Sequence, residues 1–301
     1  MSRRRILITG GTGLLGKALL ETAPEELEVF ATWHRTPPPA EWRSRFHPLE
    51  LLEPRSVAGL YDAVRPDAVI HAASIGSVDQ AERDPAGVQR VNVDGTQALG
   101  RACAERAARF VFISSNAVFD GRHPPYAEDA PVRAVNRYGA LKIHAEAWVR
   151  DHCQAPLIIR PILMYGWPFP GGRDNAVTRW LDHLERGRAV EVAEDVYSQP
   201  LLAANCAEAI WAALRQDRSG TYHVGGADRV SLLELARAAA RAFGCPEQLI
   251  RPVPSHHFRA LAPRPADTSF ITTKMAQELG VRPMGVREGL AVMQRTRLLV
   301  A

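Results

Sequence analysis

The chain has 301 residues, of which 46% are hydrophobic and 23% charged, the composition of a globular protein with one large core or two smaller ones. Its net charge of +4 is mixed along the chain without basic runs interleaved with aromatic residues, which argues against nucleic-acid binding and suits an anionic small molecule. The four cysteines are scattered and form no Cys-x-x-Cys pair, so we expect neither a metal site nor a disulfide framework. No apolar stretch has membrane-spanning length, so we expect a reduced, cytoplasmic protein without membrane contact.

The first half of the chain alternates short apolar segments with longer helix-like segments. The strand-like segments are residues 5–9, 29–33, 68–72, 110–114 and 157–160, and the helix-like segments are residues 14–21, 57–64, 88–106 and 137–150. Alternation of this kind is typical of parallel strands joined by crossover helices. It predicts an α/β fold, a doubly wound parallel sheet of the Rossmann type with helices on both faces.

The pattern loosens after Pro161. Residues 168–172 (PFPGG) form a loop that no regular element crosses easily. Helices are predicted at residues 177–186, 204–215 and 232–243, the last with Ser231 as its N-cap, a strand at 221–224, and an extended connector at 251–265. We predict a Rossmann domain over residues 1–165 and a smaller, mixed lobe over residues 166–301, with about 200–225 packing back on the first domain.

A glycine-rich turn joins the first predicted strand to the first helix. Gly10, Gly13 and Gly16 fit a Gly-x-x-Gly-x-x-Gly pattern. Glycines allow a tight turn and let a pyrophosphate approach the backbone, while the helix N-terminus offers free N–H groups. We predict that these glycines, with Leu14 and Leu15 of the first helical turn, bind the phosphates of a dinucleotide. The alternative is a plain strand-to-helix turn.

The end of the second strand bears on the choice between NADH and NADPH. An acidic residue there binds the ribose hydroxyls of NAD. Here the segment reads Ala-Thr-Trp-His-Arg over residues 31–35 and contains no acid. Arg35 can instead pair with a 2′-phosphate. We predict NADP as cofactor with NADPH preferred over NADH; the alternative is that Arg35 is merely solvated.

A tyrosine and a lysine lie four residues apart in the predicted helix over residues 137–150, and Ser115 lies just upstream of that helix. Positions four apart share a helix face, so Lys142 can hold positive charge beside the hydroxyl of Tyr138. A free phenol titrates near ~10, and a fixed cation favours the phenolate. The pattern predicts a proton-exchanging tyrosine; the alternative is a half-buried tyrosine one turn from a solvated lysine.

These features together resemble the extended short-chain dehydrogenase/reductases and, among them, the dTDP-4-dehydrorhamnose reductase family, whose relatives include the methionine adenosyltransferase β-subunit. The likeness covers nearly the whole chain. The segments that carry it, in the expected order, are residues 78–82 (VDQAE), 113–121 (ISSNAVFDG), 125–128 (PYAE), 138–142 (YGALK) and 264–269 (RPADTS).

The resemblance implies roles for individual residues. Tyr138 would donate a proton to the substrate carbonyl, Lys142 would bind the nicotinamide ribose and lower the tyrosine pKa, and Ser115 would hydrogen-bond the carbonyl oxygen. The further cofactor-binding positions that it implies are Glu50, Leu51, His71, Ala72, Ala73 and Asn92. Two alternatives stay open. A purely structural role in the helix fits Asn92 equally well, and a packed, hydrogen-bonded role fits His71 better than a catalytic one.

The predicted substrate-binding residues are Ser115, Asn116, Arg173 and Arg264. The two arginines can meet a substrate diphosphate, although scattered arginines in an arginine-rich chain are usually solvated. Asn116 stands where the reductases have aspartate, and residues 161–165 and 198–201 replace family segments that face the sugar. The chain therefore shares the catalytic residues of the family but not the residues that face the sugar, so the resemblance does not identify the substrate.

The expected function is NADPH-dependent reduction of a keto group on a nucleotide-linked sugar or similar polar carbonyl, by an NAD(P)-dependent oxidoreductase with a homodimer as a possible assembly. The related dehydratases carry an Asp-Glu pair after the position of Ser115. This chain has no such pair, so reduction is favoured over dehydration. Two alternatives remain: a sugar-nucleotide epimerase of the same superfamily, and a non-catalytic NADP-binding regulatory subunit.

Overall fold

The computed structural model describes residues 3–297. Its strands are β1 (Arg4–Thr9), β2 (Leu27–Trp33), β3 (Phe46–Pro48), β4 (Ala68–His71), β5 (Arg109–Ile113), β6 (Leu157–Pro161), β7 (Met164–Tyr165), β8 (Val190–Ala193), β9 (Tyr197–Ser198), β10 (Leu201–Leu202), β11 (Gly220–Val224), β12 (Val230–Ser231) and β13 (Ile250–Val253). Its helices are α1 (Leu14–Glu21), α2 (Pro54–Val64), α3 (Val78–Arg83), α4 (Pro85–Gln89), α5 (Gly95–Glu105), α6 (Arg137–His152), α7 (Ala176–Glu185), α8 (Ala203–Arg215), α9 (Leu232–Phe243), α10 (Thr273–Leu279) and α11 (Val286–Thr296).

A seven-stranded sheet with the order β11-β6-β5-β4-β1-β2-β3 lies at the centre. Every pairing in it is parallel, and Thr9 at the end of β1 lies opposite His71 at the end of β4. The chain winds outward from β1 in one direction and from β4 in the other, so the strand order reverses between these two strands. Ligands of doubly wound sheets bind outside the carboxyl ends of the strands at such a point. The predicted fold class is confirmed.

Alternation along the strands builds one apolar layer on each face of the sheet. Leu7 belongs to the cluster formed with α2, α5 and α6, whereas Ile6 and Ile8 belong to the cluster formed with α1 and α8. Residues one apart on a strand point to opposite faces, so a continuous apolar run serves both layers. The apolar runs that predicted these strands therefore position their carboxyl ends along one edge.

The helix predicted over residues 88–106 is interrupted. Helices α4 and α5 are joined by a π-helical turn at Arg90–Asp94. The amide of Asn92, in this turn, binds both backbone polar groups of Ile75, so the wider turn coincides with a side chain that reaches out to a loop. Such π-turns often occur at functional sites. The prediction of one regular helix over this stretch is wrong in that respect.

The smaller lobe is built mainly from α7, α9 and α11, which share an apolar cluster with β8. The predicted N-cap of α9 is confirmed, since the Ser231 hydroxyl accepts from the Glu234 N–H at 3.1 Å. The extended connector predicted at 251–265 is partly wrong, because β13 pairs in parallel with β8 and places Pro252 opposite Val192. Proline is tolerated there because a two-stranded sheet has only edge strands.

Residues 200–225 lie against the first half of the chain. Strand β11 is the edge strand of the central sheet beside β6, and α8 packs on α1. The domain boundary at residues 165 and 166 stays a prediction.

No helix within residues 3–297 is both long and apolar enough to span a bilayer. Nor does this range hold a group of three or more His, Cys, Asp or Glu side chains arranged to take a metal ion.

Candidate active site

The glycine turn between β1 and α1 is held against the second strand. Gly11 N–H donates to the Thr32 carbonyl at 2.8 Å, and Gly10 N–H donates to the Thr32 hydroxyl at 3.3 Å. Helix α1 begins after Gly13, and no side chain caps the N–H groups of its first turn. An uncapped helix N-terminus carries free donors and partial positive charge. The turn therefore presents an anion-binding surface at the carboxyl edge of the sheet.

Three of the four glycines of the turn, Gly10, Gly13 and Gly16, meet different surroundings. A Cβ on Gly16 would clash with the Gly10 carbonyl and stand 2.6 Å from Gly11 Cα. Gly10 has a φ of +72°, and a Cβ there would lie 2.7 Å from Ala73 N. A Cβ on Gly13 would meet only the Gly10 carbonyl oxygen, at 3.2 Å. Gly10 and Gly16 are thus required by packing, while Gly13 borders open space.

His71 is a packed, hydrogen-bonded histidine. Its Nδ1 lies 2.7 Å from the Thr9 hydroxyl and its Nε2 lies 3.0 Å from the Thr96 hydroxyl. Burial, with the charge of Lys142, lowers the pKa of His71 to about 3, so the ring is neutral. Its side chain has no free ring nitrogen for a cofactor, and only its backbone can serve the predicted contact.

The alanines after His71 lie beside the glycine turn. Ala72 N–H donates to the Thr9 carbonyl at 3.2 Å, and Ala73 N–H donates to the Thr9 hydroxyl at 3.3 Å. This places the backbone after β4 directly against the turn after β1.

The predicted adenine-side residues lie beyond the ends of β2 and β3, which pair Trp33 with Pro48. Arg35 is exposed there. The Glu50 carboxylate lies 2.8 Å from His34 Nε2, which ties the two strand ends together. Leu51 is buried, in contact with the position where a Cβ of Gly95 would stand, so its side chain serves the core. The structure brings Arg35 and Glu50 to the same edge as the glycine turn.

Tyr138 lies in the first turn of α6 and is 9% exposed. Burial raises the pKa of its phenol, while the hydroxyls of Ser115 and Ser74 and the charge of Arg173 act in the opposite direction. Ser74 has no well-aligned hydrogen bond of its own, although it lies near enough to the phenol to favour the phenolate. The phenol is therefore protonated at neutral pH and sits among hydroxyl groups.

Ser115 follows β5 and is held by its neighbours. Its hydroxyl accepts from Ala117 N–H at 3.1 Å and donates to Asn116 Oδ1 at 3.3 Å. Asn116 in turn donates to the Thr268 hydroxyl at 2.6 Å. A Cβ on Gly139 would clash with the Ala117 carbonyl, so glycine lets α6 approach this turn. That close approach places Tyr138 next to Ser115.

Lys142 is buried under the sheet edge. Its Nζ donates to the Ile113 carbonyl at 2.9 Å and lies 4.9 Å from the centre of the Phe112 ring and 5.8 Å from that of the Tyr138 ring. The expected lowering of the tyrosine pKa is not found in this arrangement: the pKa of Tyr138 is raised, because burial outweighs the opposing groups. Arg173 is the cation that acts on the phenol. A role for Lys142 at the nicotinamide ribose stays a prediction.

The two predicted substrate arginines differ in their surroundings. Arg173 is exposed, and its Nη1 lies 4.0 Å from where a Cβ of Gly76 would stand, in the loop after β4. Arg264 donates to an Asp79 carboxylate oxygen at 2.8 Å and to the Ala262 carbonyl at 3.1 Å. The structure brings Arg173 to the site, while Arg264 joins the C-terminal connector to α3. Substrate binding by either arginine stays a prediction.

Asn92 fits the structural alternative. Its Oδ1 accepts from Ile75 N–H at 2.8 Å, its Nδ2 donates to the Ile75 carbonyl at 3.0 Å, and the side chain is buried. These bonds leave Nδ2 one donor and fix the loop that carries Ser74 and Gly76. Asn92 therefore shapes the site from behind.

Sequence reasoning missed two features near the site. Ser74 faces the phenol, yet no motif marks it, and its only signal is its position just after β4. Phe169 is buried, with its ring centre 5.9 Å from that of Trp42 and 5.7 Å from Lys17 Nζ. The loop at 168–172 is thereby anchored beside the glycine turn, a contact between distant segments that spacing cannot reveal.

Comparison with known proteins agrees with this architecture. A family model described as the RmlD substrate binding domain matches residues 4–297. Methionine adenosyltransferase 2 subunit beta of Xenopus laevis is 30% identical, over 95% of this chain and 87% of that protein. dTDP-4-keto-6-deoxy-D-glucose reductase of Streptomyces niveus is 30% identical, over 88% of this chain and 87% of that protein. A crystal structure of dTDP-4-dehydrorhamnose reductase from Bacillus anthracis, in complex with NADP, matches with a TM-score of 0.87 at 26% identity, over 98% of this chain and 99% of that one. The chain belongs to the RmlD substrate binding domain family, within the extended short-chain dehydrogenase/reductases that its motifs resemble.

Proposed function

We propose that this protein reduces a keto group on a nucleotide-linked sugar or a similar polar carbonyl, with NADPH as the reductant. The observation that carries the proposal is the protonated phenol of Tyr138, which lies beside Ser115 at the sheet edge that also bears the glycine turn. The dTDP-sugar reductase of Streptomyces niveus and the NADP complex from Bacillus anthracis support the choice of substrate class and cofactor.

The residues present fit a dinucleotide. Gly10 and Gly16 are positions where a side chain would collide with backbone, and α1 begins without a side-chain cap. We assign the phosphates to this helix N-terminus, where N–H groups and the helix dipole favour negative charge. Arg35 would hold the 2′-phosphate, and the backbone of residues 71–73 would line the cofactor. When bound, the nicotinamide supplies the hydride for the carbonyl carbon.

The chain's own groups would handle the proton. Tyr138 donates its phenolic proton to the carbonyl oxygen, and its raised pKa keeps that proton in place at neutral pH. Ser115 turns its hydroxyl from Asn116 to the same oxygen and stabilises the charge that develops there. Arg173, exposed at the mouth of the site, would meet an anionic part of the substrate. We assign the nucleotide end of the substrate to the smaller lobe.

The direct test is to mix the protein with NADPH and a panel of dTDP-, UDP- and GDP-linked keto sugars and follow the loss of NADPH absorbance. We expect consumption with at least one of them and one alcohol formed per NADPH consumed. If NADPH binds and every member of the panel leaves it unconsumed, the proposal is wrong.

The Arg35→Ala variant tests the cofactor preference. Loss of a charge-assisted contact to a 2′-phosphate is expected to lower kcat/KM for NADPH roughly 10- to 100-fold while kcat/KM for NADH stays the same. Arg237→Ala, an exposed arginine on α9, is the matched control and should change neither value. Equal losses with both cofactors would show that Arg35 does not read the phosphate.

A non-catalytic subunit is the second candidate, and the 30% identity with methionine adenosyltransferase 2 subunit beta favours it. It predicts that the chain binds NADP, consumes no NADPH with any sugar, and copurifies with a stoichiometric partner. An epimerase would instead retain its nicotinamide through purification and interconvert sugars without net consumption. The panel assay combined with mass spectrometry of the purified protein separates the three.

A further inference from the structure

Four ionisable side chains follow one another at four-residue intervals along α6: Tyr138, Lys142, Glu146 and Arg150. This spacing places them on one face of the helix. Glu146 is completely buried, and the reduction proposed above gives it no role. A carboxylate in the core one turn from a predicted catalytic lysine calls for an explanation.

Glu146 is held by two arginines. Arg160 of β6 donates from Nε to Oε1 at 2.8 Å and from Nη2 to Oε2 at 2.7 Å, and it is only 2% exposed. Arg150, at the surface, donates from Nη2 to Oε2 at 2.6 Å. Paired, nearly parallel bonds from one guanidinium fix the orientation of a carboxylate. The position of Glu146 is therefore set from the sheet as well as from its own helix.

The same contacts keep Glu146 ionised. Burial alone would raise the pKa of its carboxyl, but the hydrogen bonds and charge of Arg160, with help from Ser114 and Arg150, lower the pKa overall. Arg160 is itself held by His223 Nε2 at 3.2 Å. Burial, followed by the charge of Arg160, lowers the pKa of His223 to about 3, so the ring is a neutral acceptor. An ionised carboxylate on α6 thus lies inside the protein.

Lys142 lies one helical turn before Glu146 on the same face of α6. Burial lowers the pKa of Lys142 to about 8, and Glu146 acts against that lowering. Tyr138 on the same helix and His71 on β4 are both uncharged at neutral pH. The cations Arg160 and Arg150 are paired with the Glu146 carboxylate itself. Glu146 is therefore the charged group that favours the ammonium form.

We propose that Glu146 is a positioning residue for Lys142, and that its carboxylate, fixed by Arg160, keeps the lysine side chain charged and directed at the end of β5. A buried ion pair is weak evidence for stability, because desolvation offsets much of its attraction. An effect on the ionisation of Lys142 would explain why the Glu146–Arg160 pair lies in the core. The catalytic consequence rests on the proposed function, in which a charged Lys142 binds the cofactor ribose, whereas the ionisation of Lys142 can be measured without any activity.

The test is a nuclear magnetic resonance titration of the full chain labelled with ¹³C at the lysine ε-carbons. Lysine occurs only at Lys17, Lys142 and Lys274, and a Lys142→Arg variant assigns the signal of interest. We expect a Lys142 midpoint of about 8 in the native protein and a midpoint about one pH unit lower in Glu146→Gln. A midpoint that stays at the native value would overturn the proposal.

Two further variants keep the result unambiguous. Arg150→Gln removes one guanidinium while Arg160 still holds the carboxylate, so the Lys142 midpoint should stay within about 0.3 pH unit of the native value. Because Glu146→Gln alone leaves Arg160 buried without its partner, Glu146→Gln combined with Arg160→Leu removes both charges together. That double variant should also lower the Lys142 midpoint, and a native midpoint in it would contradict the proposal.

A pH profile of kcat/KM separates this inference from the proposed function. If charged Lys142 is needed for reduction, activity falls as pH rises through its pKa, and the basic limb in Glu146→Gln moves to lower pH by the same amount as the resonance midpoint. A shifted midpoint with an unmoved basic limb would uphold the link between Glu146 and Lys142 and refute the catalytic use of Lys142.

Discussion

Replacing Tyr138 with phenylalanine is expected to lower kcat for keto-sugar reduction by roughly 10²- to 10⁴-fold, the usual contribution of a positioned general acid. The change removes one oxygen atom and leaves the ring, which packs with Ala81 and Val88, in place. The glycine turn and the strand ends that would hold the cofactor are untouched. NADPH should therefore bind with its dissociation constant within about threefold of the native value. Stopped-flow turnover and fluorescence titration measure the two quantities separately.

The matched control is Tyr222→Phe on β11, which removes a phenol that donates to Glu278 at 2.7 Å at the far edge of the central sheet. It should cost about 1 kcal/mol of stability and leave kcat unchanged. Turnover that survives in the Tyr138 variant would eliminate this residue as the proton donor. If NADPH binding is lost along with turnover, Tyr138 instead shapes the cofactor site.

The parts of the site that were predictable from sequence are those encoded by local spacing. Glycines between an apolar strand and a helix predict the turn at Gly10 to Gly16 from one local segment of the chain. Likewise, the four-residue interval between Tyr138 and Lys142 requires only that their segment be helical, which α6 satisfies. The parallel sheet followed in the same way from alternating apolar and helical segments.

The other features of the site depend on contacts between segments that are distant in the sequence. Helical spacing places Lys142 near Tyr138, but only the approach of α6 to β5 shows that the ammonium meets the Ile113 carbonyl. The pairing of Glu146 with Arg160 requires the register of β6 against the helix. Burial, which decides the direction of the Tyr138 pKa, is likewise a property of the assembled fold.

The prediction of an extended connector at residues 251–265, based on proline content, is partly wrong for a related reason. Four prolines in residues 251–265 suggested an extended connector, yet residues 250–253 pair with β8, which lies some sixty residues earlier. Strand formation there is decided by the partner and by the edge position that tolerates Pro252. Propensity describes what a segment prefers alone, whereas a neighbouring strand can override it.

Substituting Gly16 with alanine is expected to have the second large effect, on both stability and cofactor binding. The new methyl group would clash with the Gly10 carbonyl and lie 2.6 Å from Gly11 Cα, so α1 must move away from the turn. Overpacking of this kind costs about 1–3 kcal/mol. Moving the first N–H groups away from two phosphate contacts of about 1.5 kcal/mol each would weaken NADPH binding roughly 100-fold. Thermal unfolding with and without NADPH, together with a binding titration, measures both effects.

Gly13→Ala distinguishes packing from ligand approach within the same turn. Gly13 has φ −78° and ψ 170°, which alanine adopts readily, and the nearest atom to its Cβ would be the Gly10 carbonyl oxygen at 3.2 Å. Stability should therefore change by less than about 0.5 kcal/mol. Yet the methyl group would stand where a pyrophosphate must approach the backbone, so NADPH binding should weaken roughly tenfold or more. Native affinity in Gly13→Ala would mean that the phosphates lie elsewhere, and the clash at Gly16 would then reflect packing of the fold alone.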